Sequence, residues 1–139
     1  MRRDAAAGAL AAGQGAWFLG TGLWPLVHLA SFEAVTGPKR EGWLVKTAGV
    51  LIAAVGATLL LAARRRPVAA EARLLGVSSA AGLAVIELWY AGIRRRIAPV
   101  YLADAAAELA LLTAWGITAA RGHAARAPAG RDVAAADHR

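Results

Sequence analysis

The chain has no cysteine and little charge. None of its 139 residues is cysteine, which excludes disulfide bonds, thiol catalysis and cysteine-ligated zinc or iron–sulfur sites. Charged residues make up 18% of the sequence and hydrophobic residues 58%, whereas soluble domains average roughly 25% and 45–50%. This composition excludes a disordered chain and favours a protein embedded in lipid.

The charges fall in short clusters between long apolar stretches. A membrane core about 30 Å thick requires roughly 20 helical residues to cross, and four stretches of that length cover residues 11–30, 43–63, 74–93 and 100–120. Short connections make successive helices antiparallel. The sequence therefore predicts an all-α polytopic membrane protein, a four-transmembrane up-down-up-down helix bundle. A flexible basic cytoplasmic tail is predicted at residues 121–139.

Two further features concern the helices of this bundle. With the N-terminus inside, ten of the sixteen basic residues fall on the cytoplasmic side and six on the other, which predicts cytoplasmic N- and C-termini. In the second span Gly49, Ala53 and Ala57 recur every four residues. Such a row of small residues lets membrane helices approach closely.

Five ionisable residues lie inside the predicted spans. A charged Asp, Lys or Arg at a helix centre costs about 2.5–3.5 kcal/mol on insertion scales, so each such residue requires an explanation. In the predicted topology all five lie in the half of the bundle opposite to the termini. They are His28, Lys46, Glu87, Asp104 and Glu108.

The faces of the helices agree with this depth. At about 100° per residue, polar and aromatic side chains share one face on the first, third and fourth spans. Asp104 and Glu108 form an i,i+4 pair of like charges, which repel unless a cation or a proton compensates them. Glu33 and Lys39, in the loop after the first span, can reach back over this half and cap a cavity. The residues predicted to bind a ligand there are Trp24, His28, Glu33, Lys46, Glu87, Tyr90, Tyr101, Asp104, Glu108 and Trp115.

This set of side chains suits three functions. Carboxyls as counter-ions and aromatic faces as cation–π partners suit a small amphipathic or cationic ligand, with proton coupling as a variant. The same groups suit a membrane-embedded acid–base enzyme, of the isomerase or lyase type, on a lipid-soluble substrate. The third alternative is a non-catalytic accessory subunit of a larger membrane complex. The sequence leaves these alternatives open, as it does the choice between monomer and homodimer.

Metal and nucleic-acid binding are not predicted. Di-metal bundles use Glu-x-x-His pairs, which the chain lacks, and His123 and His138 belong to the tail. The basic residues are explained as topology signals that also contact anionic lipid head groups. Membrane lipids are therefore the expected partners, and no cofactor is identified.

Three short motifs carry a resemblance to other proteins. They are W-P-L-x-H-x-x-S-F-E at residues 24–33, T-G-P-K at residues 36–39 and Y-L-x-D at residues 101–104. With them the chain resembles a group of small four-span bacterial membrane proteins without an assigned activity. The resemblance implies a multi-pass protein of the bacterial inner membrane. In size and layout the chain is also similar to sterol-isomerase and sigma-2-receptor type bundles, which implies a lipid-accessible cavity and assigns no residue a role.

Overall fold

The computed structural model describes residues 2–124, and that part of the chain is helical with no strand. The helices are α1 (Arg2–Val27), α2 (Leu29–Thr36), α3 (Gly42–Ala63), α4 (Ala70–Glu87) and α5 (Val100–Ala124), and a π-helical segment (Leu88–Ile93) continues α4. The all-α prediction is confirmed. The predicted tail lies outside the described residues, apart from residues 121–124, which continue α5.

Three helical stretches are long and apolar enough to cross a membrane, by length and composition: Gly42–Ala63, Ala70–Ile93 and Val100–Gly122. They coincide with the second, third and fourth predicted spans and indicate a membrane protein. Helix α1 has 26 residues but is not one of these stretches. Its apolar content is largely alanine and glycine, which are less hydrophobic than leucine.

Many of the buried side chains are small, and many of the large apolar side chains are exposed. Along α4 the buried positions recur every four residues at Ala72, Gly76, Ala80 and Ala84. Leu51, Leu61 and Leu74 by contrast are mostly exposed. Lipid chains solvate leucine as well as a protein interior does, so helices in a membrane associate through close packing of small residues. This distribution of side chains fits a protein surrounded by lipid.

Helices α1 and α3 are antiparallel and meet at their backbones. Gly15 lies against Gly56, and Gly22 lies against Gly49. A Cβ atom on Gly15 would be 2.8 Å from the carbonyl oxygen of Gly56, and one on Gly22 would be 2.6 Å from that of Gly49. Real side chains cannot approach so closely, so this interface requires glycine. The rows that form it repeat every seven residues, with Gly8, Gly15 and Gly22 on α1 and Gly49, Gly56 and Ala63 on α3.

The predicted row of small residues on α3 is partly correct. Gly49 and Ala53 are buried, but the next buried position is Gly56, and Ala57 is half-buried. Repeated steps of four residues rotate around a helix by about 40° each at 100° per residue. Alternating steps of four and three stay on one side, as in antiparallel helices that remain in contact over several turns.

Helix α1 ends earlier than the predicted first span. Pro25 has no N–H to donate to the carbonyl of Thr21, and three residues later the chain leaves the helix at His28, whose φ and ψ are −148° and 79°. The His28 side chain then caps α2, because its Nδ1 accepts the backbone N–H of Ser31 at 3.1 Å. Helix α2 consequently folds back over the end of α1 and contacts α5.

The glycine contact between α1 and α3 leads to a stability prediction. Gly15→Ala and Gly22→Ala should each destabilise the protein by about 1–3 kcal/mol, the usual cost of overpacking. Gly13 and Gly20 lie on the same helix, and a Cβ atom at either position would have nothing within 4 Å, so Gly13→Ala and Gly20→Ala should leave stability unchanged or raise it. Thermal unfolding in detergent, followed by circular dichroism, measures the difference. Equal shifts for the two pairs would contradict the backbone contact.

Candidate functional site

A cavity of about 230 Å³ lies between the helices at the end of the molecule where α2 folds back. All five helices and the loop after α2 contribute to its wall. We call it the acid cavity, after Glu87, Asp104 and Glu108. Its other lining residues include Trp17, Phe18, Thr21, Pro25, Phe32, Lys39, Ile52, Leu83 and Tyr101.

Glu87 and Glu108 are buried, Asp104 is half-buried, and several of their carboxyl oxygens lack a hydrogen-bond partner among the described residues. Glu108 is 1% exposed and Glu87 is 5% exposed. Glu87 Oε2, Asp104 Oδ1 and both carboxyl oxygens of Glu108 are buried without a hydrogen-bond partner in the described part of the chain. Glu87 and Asp104 line the same space, so their like charges repel unless a proton or a cation compensates them. Buried carboxyls without donors are costly, so the cavity suits a positively charged or hydrogen-bond-donating occupant.

Helix periodicity brings the acids together. Asp104 and Glu108 are four residues apart and therefore share the inner face of α5. Glu87 follows Ala80 and Ala84 on the buried side of α4. The structure thus brings three of the predicted ligand-binding residues into one cavity, from two different helices.

Lys39 is the cationic side chain that lines the cavity. Its Nζ donates to the carbonyl oxygen of Thr36 at 2.6 Å and lies 5.3 Å from the centre of the Tyr101 ring. Its backbone N–H donates to Glu33 Oε1 at 3.1 Å. Glu33 therefore orders the loop that carries Lys39, and Tyr101 lines the cavity.

A groove between α1, α2 and α5 adjoins the acid cavity. It has a similar volume of about 230 Å³, and we call it the outer groove. Trp17, Thr21, Phe32, Tyr101 and Asp104 line both spaces. Residues that line the outer groove alone are Trp24, Val35, Thr36, Val100, Ala103 and Ala107. Trp24 thus faces the groove, where its ring packs edge-on against Phe32 with 5.6 Å between centroids.

Five of the predicted residues, Glu33, His28, Lys46, Tyr90 and Trp115, line neither space. His28 is exposed, and its Nδ1 is engaged by the Ser31 N–H as the cap of α2. Lys46 is exposed on α3, one position beyond Val45, which lines the cavity. The prediction placed His28 and Lys46 by depth along the chain, but depth alone does not fix which side of a helix faces inward.

Tyr90 also lies away from the cavity. On a regular α-helix Tyr90 would share the face of Glu87, three residues earlier, but a π-helical segment begins at Leu88. A π-helix turns less per residue than an α-helix, so the positions after Glu87 are rotated. Tyr90 is accordingly exposed whereas Glu87 is buried.

Trp115 is buried in a polar contact outside the cavity. Its Nε1 donates to Gln14 Oε1 at 2.8 Å, and Gln14 Nε2 donates to the carbonyl oxygen of Gly76 at 2.8 Å. We call this group the Gln14 clasp, and it joins α1, α4 and α5. A Cβ on Gly76 would be 2.9 Å from Gln14 Oε1, so a larger residue there would displace the Gln14 amide. Trp115 therefore positions helices and does not line the acid cavity.

The structure adds residues that the prediction missed. Lys39 was considered only as part of a cap, although it is the lysine that reaches the cavity. Gln14 is also absent from the predicted site residues. Its partners Gly76 and Trp115 are 62 and 101 residues away along the chain. The seven-residue glycine repeat is the sequence feature that could have indicated which side of α1 packs against another helix.

Comparison with known proteins gives no relative: no family model, no curated protein and no solved structure matches the chain. Within residues 2–124, no group of three His, Asp or Glu side chains is arranged to hold a metal ion. The function must therefore be inferred from the acid cavity itself.

The Gln14 clasp leads to a coupling prediction. A double-mutant cycle of Gln14→Leu and Trp115→Phe should give a coupling energy of about 0.6–1.7 kcal/mol, the range for hydrogen bonds between membrane helices. Unfolding by a denaturing detergent measures it. Trp43→Phe is the matched control, because it removes an exposed indole hydrogen bond to Glu41 and should change stability little. Independent effects of the two clasp variants would show that the bond contributes nothing.

Proposed function

We propose that the chain is a four-span protein of the bacterial inner membrane whose acid cavity binds a small amphipathic amine. The α1 helix is the fourth span. It packs along α3 from Gly8 to Gly22, a length of about 20 Å at 1.5 Å per residue. A membrane that surrounds α3 over that length also surrounds α1. The excess of arginine on one side supports cytoplasmic N- and C-termini.

The absence of cysteine allows a direct test of this topology. Single cysteines at Arg3, Arg40, Arg65 and Arg95 can be labelled in intact cells with a membrane-impermeant maleimide. Arg40→Cys and Arg95→Cys should react from outside, and Arg3→Cys and Arg65→Cys should react only after the membrane is opened. Reaction of Arg3→Cys and Arg40→Cys from the same side would contradict a spanning α1.

The observation that supports a cationic ligand is the set of unpartnered carboxyl oxygens in one cavity. Three acids from two helices share about 230 Å³, and four of their buried oxygens have no hydrogen-bond donor among the described residues. Electrostatic attraction is strong where water is excluded. A bound cation would stabilise these groups more than a neutral ligand would.

The chemistry of the lining narrows the class of cation. Carboxyl oxygens without donors favour a primary or secondary ammonium, whose N–H groups can donate hydrogen bonds to them. A quaternary ammonium has no N–H group to donate. Trp17 also lines the cavity and offers an aromatic ring as a cation–π partner. The remaining wall, formed by residues such as Phe18, Ile52 and Leu83, suits an alkyl or aromatic group. The ligand class is therefore a protonated amine with an apolar substituent.

Binding of hexylamine tests this function. At pH 7 the amine is protonated, since alkyl amines have pKa values near that of lysine, about 10.4. Hexylamine should bind saturably to the protein in nanodiscs of zwitterionic lipid, as followed by tryptophan fluorescence. Glu108→Gln should weaken binding by about tenfold or more, equivalent to 1.4 kcal/mol.

Matched controls separate this result from partition into lipid. Glu71→Gln removes an exposed acid from the first turn of α4 and should bind hexylamine as the wild type does. Hexanol and hexanoate should show no saturable binding. Equal binding of amine, alcohol and carboxylate, or equal binding by Glu108→Gln, would overturn the proposal. Conversion of a bound probe to a product would instead favour the enzyme alternative.

A further inference from the structure

The outer groove has an opening on the side of the molecule between α1 and α5. Trp17, Trp24, Val35 and Val100, which line it, are all substantially exposed. Ala107 lies seven residues into α5, about 10 Å from its start at 1.5 Å per residue. Val100–Gly122 is one of the stretches able to cross a membrane. The deep end of the groove therefore faces the hydrocarbon region rather than water.

Two contacts explain why the groove exists. The glycine pairs hold α1 against α3, and the Gln14 clasp holds α1 to α5 at one level. Ala107 lies eight residues before Trp115, on the side of α2, and Trp17 lies three residues after Gln14 in the same direction. Beyond the clasp α1 follows α3, and an open space lined by Trp17 and Ala107 separates it from α5.

Size limits what the acid cavity holds alone. The acid cavity has a volume of about 230 Å³ and is bounded by side chains from all five helices. Decylamine has four more carbons than hexylamine, and a chain too long for the cavity can extend only into a space that adjoins it. Both spaces share Trp17, Phe32 and Asp104, so the outer groove is the adjoining exit.

We propose that the outer groove is a second subsite, which holds the alkyl chain of a single-chain amine and opens to the lipid. The ammonium group lies beside Asp104, Glu87 and Glu108, and the chain passes between Trp17 and Ala107 towards the membrane. Asp104, which lines both spaces, marks the boundary between head group and chain. This inference rests on the proposed function and extends it from a short amine to a single-chain lipid-like amine.

The test compares two amines in variants of the groove. Ala107→Phe fills the groove at its deep end and should weaken decylamine binding by about tenfold relative to the wild type, while hexylamine binding changes by less than about twofold. The ratio of variant to wild type is used for each amine, because partition into the nanodisc then cancels. Ala106→Phe is the matched control, since Ala106 is exposed beside the groove without lining it; it should change neither amine.

The outcomes distinguish this inference from the proposed function. Ala103→Phe, at a second position that lines the outer groove alone, should repeat the selective loss and covers the case in which Ala107→Phe does not fold. Unchanged decylamine binding in the folded groove variants, with hexylamine binding still dependent on Glu108, would overturn the groove and leave the function standing. Absence of hexylamine binding in the wild type would overturn both.

Discussion

The backbone contact between α1 and α3 is the constraint on which the rest of the structure depends. Helix α1 is less apolar than the three stretches able to cross a membrane, and it is held by glycine at Gly15, Gly22, Gly49 and Gly56. This contact occupies one side of α1 over several turns. The other side, with Gln14, Phe18 and Thr21, is thereby turned towards α4 and α5. The α1 residues that line the acid cavity are therefore placed by the four glycines at which the backbones of α1 and α3 meet.

The acids need an explanation that packing does not provide. Glycine and alanine already pack the helices closely, and the Gln14 clasp supplies a hydrogen-bonded link between three of them. Glu108 contributes no hydrogen bond within the described residues, and polar groups within membrane spans are costly. Lys39 reaches the cavity, but its Nζ is engaged by Thr36 and lies beside the Tyr101 ring. The proposed cationic ligand would give these carboxyls a role.

How much of the fold and of the acid cavity the sequence predicts depends on how far apart in the chain the contacting residues lie. Local periodicity placed Asp104 and Glu108 on one face, and the order of the spans brought Glu87 to the same depth. Helix irregularities and contacts between distant residues could not be predicted from the sequence pattern. The π-helical turn after Glu87 moved Tyr90 away, and the partner of Trp115 lies 101 residues earlier in the chain. His28 was misjudged for a local reason, since a histidine beyond a proline can cap the next helix.

The central claim is that an ammonium group occupies the acid cavity, and anomalous diffraction tests it most directly. The probe is a primary amine that carries bromine at the far end of a six-carbon chain. It is soaked into crystals of the protein grown in a lipid phase. The account predicts density for the amine between Glu87, Asp104 and Glu108, with the bromine peak within the cavity or its adjoining groove. A bromine peak confined to the outer lipid-facing surface, with the three carboxyls unaltered, would contradict it.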